Sequence, residues 1–511
     1  MSTRDAIAIG SGIGGLVSAA LLARYGWNVT VCESHTIPGG AAHAFEREGY
    51  CFDSGPSFFA GLSDPHSLNP LRQVLDVLDE SVAAIAYDPL GHYHFPEGSF
   101  PVYSNLSKYR EAVAAVTPQG ARELAQFEAR LLRLYDVLSG VPALHLRGDW
   151  QVFPVLMQNY LPALAKLLPQ LGAIQGSVGQ VMDRYVRDRW VRRPIDLECF
   201  LLSGLKAHGT VTPEMAFMYG ERDRSVIDYP IGGSGAIVAA LVRGLEKWGG
   251  KLRLRSHVSE IQVEGGRAVG VRLQSGEAIE ADAVISNATV WDTYATLIDP
   301  KHLPERDRQA ALETPAVHSF MHLHLGIRAE GLEGLSGHHV VVGDGDIAAP
   351  GNTCMISIPT VWDTSMAPPG CHAIHAYTLE PFEGWTYGEG YEEKKRSRVQ
   401  VLYRALKKVI PNIRDRVQLE LIGTPLTHAR FLRRDRGTYG PAIAAGAGTF
   451  PGCQTPIRGL YRAGDSTMPG IGVPAVAASG ILCANALVST RQTAELVQTL
   501  RDRQARAGRI S

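Results

Sequence analysis

No two of the seven cysteines, at 32, 51, 199, 354, 371, 453 and 483, form a C-x-x-C pair, and their number is odd. A disulfide framework and a thiolate metal cage are therefore not expected, and a reducing compartment fits. A basic excess is missing too. With 50 Lys+Arg against 51 Asp+Glu, the net charge of −1 argues against a nucleic-acid partner. Long apolar runs are scarce. The stretch from Ser466 to Thr490 carries no charge, but Pro469, Gly470, Gly472, Pro474 and Gly480 interrupt it. It reads as a glycine loop feeding a buried helix, so no transmembrane helix is expected. The chain opens MSTRDAIAIGSG, with no signal- or transit-type segment ahead of its first apolar run, as a trimmed chain also would. The rest is 45% hydrophobic and 20% charged over 511 residues, a globular composition with room for about three structural units.

The opening follows a strand, glycine turn, helix, strand order: DAIAIGSG, GIGGLVSAALLARYGW, NVTVCES. From about 70 to 210 the pattern turns Leu- and Arg-rich and helical, broken by Pro and Gly. Near Tyr229 a glycine turn opens another helix, and KLRLRS through AVISNA reads as four short strands. Strands dominate from about 300 to 425, with one helix, YEEKKRSRVQVLYRALKKVI. The end returns to strand, glycine loop and apolar helix. The reading is an α/β protein with a nucleotide-binding domain drawn from 1–70, 220–300 and 425–511. It is interleaved with a helical, membrane-facing cap over 71–219 and a substrate-domain sheet over 301–424.

Gly10-x-Gly12-x-x-Gly15 sits between strand and helix, where a dinucleotide needs it. The first glycine allows the tight turn, the second lets backbone amides approach a pyrophosphate, and the third lets the helix pack closely. Glu33 ends the second strand, placed to accept hydrogen bonds from a ribose and to repel a 2′-phosphate. Gly39-Gly40 could lie along a longer cofactor, although this pair alone does not separate NAD from FAD. The far end does so. Gly464-Asp465 closes a strand where a carboxylate can accept a ribityl hydroxyl, and the following helix start can stabilise negative charge on a flavin ring.

With these signals in place, the chain resembles the phytoene desaturase and carotenoid isomerase group of FAD oxidoreductases, and within it the prolycopene isomerases. The matching stretches include GGAAHAFEREGYCFDSGPSFFAGL, YPIGGSGAIVAALVRGLEKWGGKL, AVISNATVWDTYATL and GLYRAGDSTMPGIGVPAVAASG, which together span nearly the whole chain. The resemblance implies a Rossmann-type FAD domain like that of monoamine oxidases and GDP-dissociation inhibitors. It also implies a hydrophobic polyene substrate and peripheral attachment to a membrane, at the cytoplasmic face or on a plastid/thylakoid-type membrane. It assigns Gly10, Ser11, Gly12, Gly15, Glu33, Gly40, Ala41 and Ala42 to the ADP half, and the Val258 backbone to adenine. Gly464, Asp465, Val473 and Ala475 would hold the ribityl chain and ring, with Gly55 and Pro56 facing the flavin. The chain departs from the isomerase pattern at Ile471, Ala478 and the segment DRSVIDYP.

The implied reaction is cis–trans isomerisation with reduced flavin and no net redox. The alternatives are a desaturase, saturase or hydratase of related polyenes, an amine oxidase, or a lipid carrier. Flavin chemistry of this kind requires no nucleophile–base pair. His43, Arg222, Arg433 and Tyr439 are candidates only for orienting a ring or end-group. His318, His322 and His324 alternate along one strand and should share a face. Without a nearby carboxylate or Cys they are read as lining of a substrate tunnel or as a packed sheet face, and no metal is expected. Trp150 to Ile174 is strongly apolar with a single charge, Lys166, and three prolines. Arg184, Arg187, Arg189, Arg192 and Arg193 follow it, and an apolar segment beside cations suits an interfacial position. The sequence specifies neither an electron partner nor an oligomeric state.

Overall fold

A computed structural model describes residues 4–507. Residues 1–3 and 508–511, the outer ends of the spans 1–70 and 425–511, lie outside the described residues. Strand β1 (Asp5–Ile9), helix α1 (Ile13–Arg24) and strand β2 (Asn28–Cys32) form the expected opening unit. β1 and β2 belong to a five-stranded parallel sheet whose other strands are Lys251–Arg253, Ala283–Ser286 and Leu460–Arg462. A sheet assembled from three distant stretches is the interleaving that the glycine and strand signals implied. Such a sheet is buried on both faces, and Ala6, Ile7, Ala8 and Ile9 are all buried. α1 is small-residue-rich and buried along almost its whole length. It meets the helix Val473–Ala486 so closely that a Cβ on Gly480 would crowd the Gly14 carbonyl and Val17. That uncharged helix is therefore core, not a membrane span.

The region expected to hold four short strands holds five. Lys251–Arg253 and Ala283–Ser286 join the parallel sheet, while Val258–Glu264, Arg267–Leu273 and Ala278–Glu280 form a separate antiparallel meander. A second sheet has seven strands, in the order Val417–Gly423, Ser319–Arg328, Cys371–Glu380, Thr353–Ser357, His338–Val342, Gly91–Phe95 and Gly98–Val102. Alternation along Ser319–Arg328 divides its side chains. Met321, Leu323, Leu325 and Ile327 pack on Leu402 and Leu406 of the helix Gln400–Val409, and Phe320 and His322 face a large cavity. The last two strands of this sheet fall in the span read as helical. They form a hairpin whose edge strand contains Pro101, which an edge tolerates because it leaves one N–H side unpaired.

The rest of the 71–219 span is helical. Pro118–Leu138 starts on a Thr117 cap and buries Leu124, Phe127, Leu131 and Leu134 at helical spacing against Thr212–Arg224. Each such burial is worth about 1.5–3 kcal/mol, so Leu131→Asp would loosen the cap. The apolar stretch falls into the short pieces Val152–Asn159, Leu161–Leu167 and Leu171–Gln175, with Pro154 and Pro162 in the first turns of the first two and Pro169 in the turn before the third. Trp150 is 73% and Phe153 69% exposed, and Met157, Leu161, Leu168 and Leu171 are exposed as well. Among the described residues, no helix is long and apolar enough to cross a membrane.

Candidate active site

One cavity of about 670 Å3 runs from the first glycine turn, past the loop before Val473, to the seven-stranded sheet. At the turn, Gly10 has φ +88°, and a Cβ on Gly15 would collide with the Gly10 carbonyl, so both positions require glycine. The Ser11 backbone N–H and hydroxyl donate to Glu33 Oε2 at 2.8 and 2.6 Å, and His35 N–H donates to Oε1 at 2.7 Å. Glu33 is thus fixed at the end of β2 with only 7% of its surface exposed, while still lining the cavity. Gly39 N–H donates to the Ser11 carbonyl at 3.1 Å, so the Gly39-Gly40 loop lies directly on the first turn.

At the other end, Gly464 has φ +106°, and a Cβ there would strike the Asn287 side chain. The helix Val473–Ala486 begins at Gly472 without a side-chain cap, leaving its first amides for a ligand. Asp465 Oδ2 accepts from Arg434 Nη2 at 2.6 Å. A dinucleotide cradle that excludes Cβ atoms, a buried acid at the ribose position and an uncapped helix start beside a long cavity together fit FAD.

Of the residues assigned from sequence, Gly10, Gly12, Glu33, Gly40, Ala41, Ala42, Gly55, Pro56, Val258, Gly464, Asp465 and Val473 line this cavity. So do His43, Arg433 and Tyr439. Ser11 acts from behind by holding Glu33, and Gly15 permits the turn to close. Ala475 does not line the cavity, whereas Pro474 and Val476 do. Arg222 lies elsewhere, buried in the cap with Glu198. Sequence reasoning missed Arg434, Asn287, Phe320, Tyr377 and His428. The motif AVISNAT could have pointed to Asn287; Phe320 and Tyr377 meet only through sheet register, and His428 and Arg434 arrive on and just after the helix Pro425–Leu432.

The wall facing the cofactor end is aromatic. Phe320 meets Tyr377 and Tyr439 edge-on at 5.6 and 5.3 Å. His322 and His324 share the expected face. His318 does not, because it is exposed and precedes the strand. His375 from the neighbouring strand joins them. His322 Nδ1 and His375 Nε2 share a hydrogen bond at 2.9 Å, and the His324 and His375 rings stack at 4.3 Å with 7° between their planes. Their nitrogens lie within 4.8 Å of one another, but stacked rings present parallel rather than convergent lone pairs, and the group includes no carboxylate.

Burial holds His322 and His375 well below the usual imidazole range, and lowers His324 and His428 to about 4. These rings are neutral in the fold, whereas in the unfolded chain each takes a proton near 6.5. The unfolded state therefore binds more protons below that pH, so stabilisation present above about 6.5 is lost as pH falls toward 4. The holoprotein melting temperature should be flat from pH 8 to 7 and fall steeply between 6.5 and 4.5, with a shallower fall in His324→Gln. Identical slopes for the two proteins would remove the imidazole cluster as the cause.

A nucleotide-binding sheet, an FAD cradle and a cavity shared with a second sheet define a flavin enzyme. Residues 13–488 match the model of the flavin containing amine oxidoreductase family, and the chain belongs to that family. It is 35% identical over 493 residues to prolycopene isomerase 1, chloroplastic, of an Oncidium hybrid cultivar, covering 94% of this chain and 83% of that protein. It is 28% identical to the neurosporene-forming phytoene desaturase of Cereibacter sphaeroides, over 93% of this chain and 92% of that one. Among solved structures, an oxidoreductase from Methanosarcina mazei shares the fold with a TM-score of 0.60 and 21% identity, covering 93% of this chain and 98% of that one.

Proposed function

We propose that the protein isomerises a cis double bond of a carotenoid-type polyene with its flavin reduced and no net redox change. The observation that carries this reading is the substrate wall. The cavity-lining residues of Arg189–Ser203, Ser319–Arg328 and Cys371–Glu380 are Phe200, Leu201, Leu202, Phe320, His322, Tyr377 and Leu379, with no Asp, Glu, Lys or Arg among them. An amine would leave its cation unpaired there, whereas a conjugated hydrocarbon loses nothing. The 35% identity to a prolycopene isomerase supports the same substrate class. When bound, a reduced flavin would supply the electron density for the double-bond isomerisation. The chain's own part is to hold that polyene against Phe320, Tyr377 and Tyr439, to exclude water, and to stabilise negative charge with the first amides of Val473–Ala486. Under anaerobic conditions, photoreduced enzyme should convert a cis polyene to a product of unchanged mass, and oxidised enzyme should not. A product two hydrogens lighter would select a desaturase. One two hydrogens heavier would select a saturase, and one heavier by a water a hydratase.

The same reading has the substrate arrive from a membrane. The exposed Trp150, Phe153, Met157 and Leu168 are a surface for the acyl boundary, and Arg184, Arg187 and Arg189 are exposed cations that follow it in the sequence. Arg192 and Arg193 are ion-paired with Asp183 and Glu97, so they contribute less free charge. The wild type should co-sediment with anionic liposomes at low salt. Arg184→Glu/Arg187→Glu/Arg189→Glu should weaken this about a hundredfold or more, at about 1 kcal/mol per cation. Equal binding by the two proteins would remove this face as the docking site.

A further inference from the structure

The loop from Arg433 to Gly440 follows the helix Pro425–Leu432 and lines the large cavity at Arg433, Arg434, Thr438 and Tyr439. Its backbone is strained on both sides of Arg434, where the non-glycine residues Arg433 and Arg436 sit at φ +51° and +49°. Such conformations persist only where surrounding contacts over-determine them, and they collect at ligand sites. The contacts here are specific. The Asp435 N–H donates to Asp292 Oδ2 at 2.9 Å, the Thr438 hydroxyl to the Val317 carbonyl at 2.6 Å, and the Tyr439 N–H to the His318 carbonyl at 3.3 Å. The last two pin the loop to the residues that lead into the strand Ser319–Arg328.

Arg434 ties this loop to the cofactor end of the cavity. Its Nη2 donates to Asp465 Oδ2 at 2.6 Å and to the Tyr439 carbonyl at 3.1 Å, and its Nε donates to the Thr438 carbonyl at 2.9 Å. One planar guanidinium therefore spans a carboxylate at the end of the strand Leu460–Arg462 and two carbonyls of the wall loop. The Arg434 and Asp465 side chains are only 14% and 17% exposed, so the pair is sheltered from the water that weakens surface ion pairs. Asp465 keeps room for a ligand: Oδ1 accepts from the Ser466 hydroxyl at 3.1 Å, and a carboxylate has about four acceptor positions. The Tyr439 ring, held through its own carbonyl, meets Phe320 edge-on at 5.3 Å in the aromatic wall. Loop and strand end are in contact, since a Cβ on Gly440 would lie 3.6 Å from Asp465 Oδ2.

We propose that Arg434 is a positioning residue that makes the cofactor cradle and the polyene wall one unit. It holds the Asp465 carboxylate where a ribityl hydroxyl of FAD would donate to it. Through the Thr438 and Tyr439 carbonyls it holds the Tyr439 ring where a polyene would lie. The proposal rests on the FAD and polyene readings and adds the link between them. Each ligand orders a contact that the other needs, so each tightens the binding of the other by the same factor. Charge alone does not carry the link. A lysine at this position keeps a cation beside Asp465, but a single ammonium cannot reproduce the flat fork that reaches all three acceptors.

The test starts from the FAD-loaded protein. It is diluted to equilibrium with and without a saturating acyclic carotenoid in detergent micelles, and free FAD is measured in the filtrate. The carotenoid should tighten FAD retention by the wild type about tenfold. Arg434→Lys should keep most of its FAD affinity in the absence of carotenoid but lose most of the tightening. Arg434→Met leaves Asp465 without its cation, so it should lose the tightening and also about tenfold in FAD affinity, the value of one hydrogen bond to a charged group. A merely structural arginine would lower the melting temperature and leave the tightening intact. Undiminished tightening in either variant that stays folded therefore overturns the proposal, because direct contact between polyene and flavin would survive both changes. A wild type that binds both ligands without tightening overturns it too, and leaves the polyene reading standing. A wild type that keeps its FAD but binds no carotenoid overturns the polyene reading and this proposal with it.

Discussion

Glu33→Arg should purify colourless. The carboxylate accepts from the Ser11 amide and hydroxyl on one oxygen and from the His35 amide on the other, an arrangement that fixes the end of β2 beside the first glycine turn. Replacing it would remove the acceptor proposed for the ribose hydroxyls and direct a long cation into the space the adenosine half would fill. Hydrogen bonds to a charged acceptor contribute about 1.5–3 kcal/mol each, so losing two weakens FAD binding about a hundredfold or more. The crowded cation and the freed Ser11 donors act in the same direction. Glu33→Gln keeps the size and one acceptor oxygen, and should lose about tenfold. Flavin content per purified chain, followed by titration of the apoprotein with FAD, measures both. A yellow Glu33→Arg protein with undiminished affinity would mean that this acid does not hold the ribose, and would reopen the assignment of the whole first turn.

The opening unit was legible because its constraints are local: two short apolar strands, three glycines at fixed spacing and an acid 23 residues beyond Gly10. Their geometry follows from turn and strand rules, with no distant partner needed. The hairpin Gly91–Val102 was not legible. Its two strands have five residues each, the second contains Pro101, and the first pairs with His338–Val342 across more than two hundred positions. The imidazole stack was half legible for the same reason. Alternation puts His322 and His324 on one face, but His375 arrives only through the register of Ser319–Arg328 with Cys371–Glu380. Arg433 and Arg434 show the limit at single-residue scale. Both line the cavity, yet it is Arg434 that pairs with Asp465, and Arg433 sits at φ +51° where the helix before it ends.

Arg222 marks the sharpest difference between sequence and structure, and it carries the other large expected effect. Its guanidinium donates to Glu198 at 3.1 Å and to the Tyr103 carbonyl at 2.7 Å, and lies 5.0 Å over the rings of both Tyr109 and Tyr219. Burial works against its charge, but Glu198 and the surrounding phenols outweigh this and hold the guanidinium above its usual range. Arg222→Met would leave Glu198 buried beside phenol hydroxyls, Tyr219 among them, without its cation. Removing one partner of a buried pair costs about 3–5 kcal/mol, because the remaining charge is uncompensated. Chemical denaturation of the cap, followed by tryptophan fluorescence, should show that loss. The double variant Glu198→Leu/Arg222→Met removes both charges and should recover most of it, since apolar replacement of a whole buried pair is often neutral. The flavin site lies elsewhere, so the fraction of Arg222→Met that stays folded should keep its FAD and its pH profile of turnover. An Arg222→Met protein as stable as wild type but without turnover would return this arginine to the catalytic candidates and displace the structural role that its partners give it.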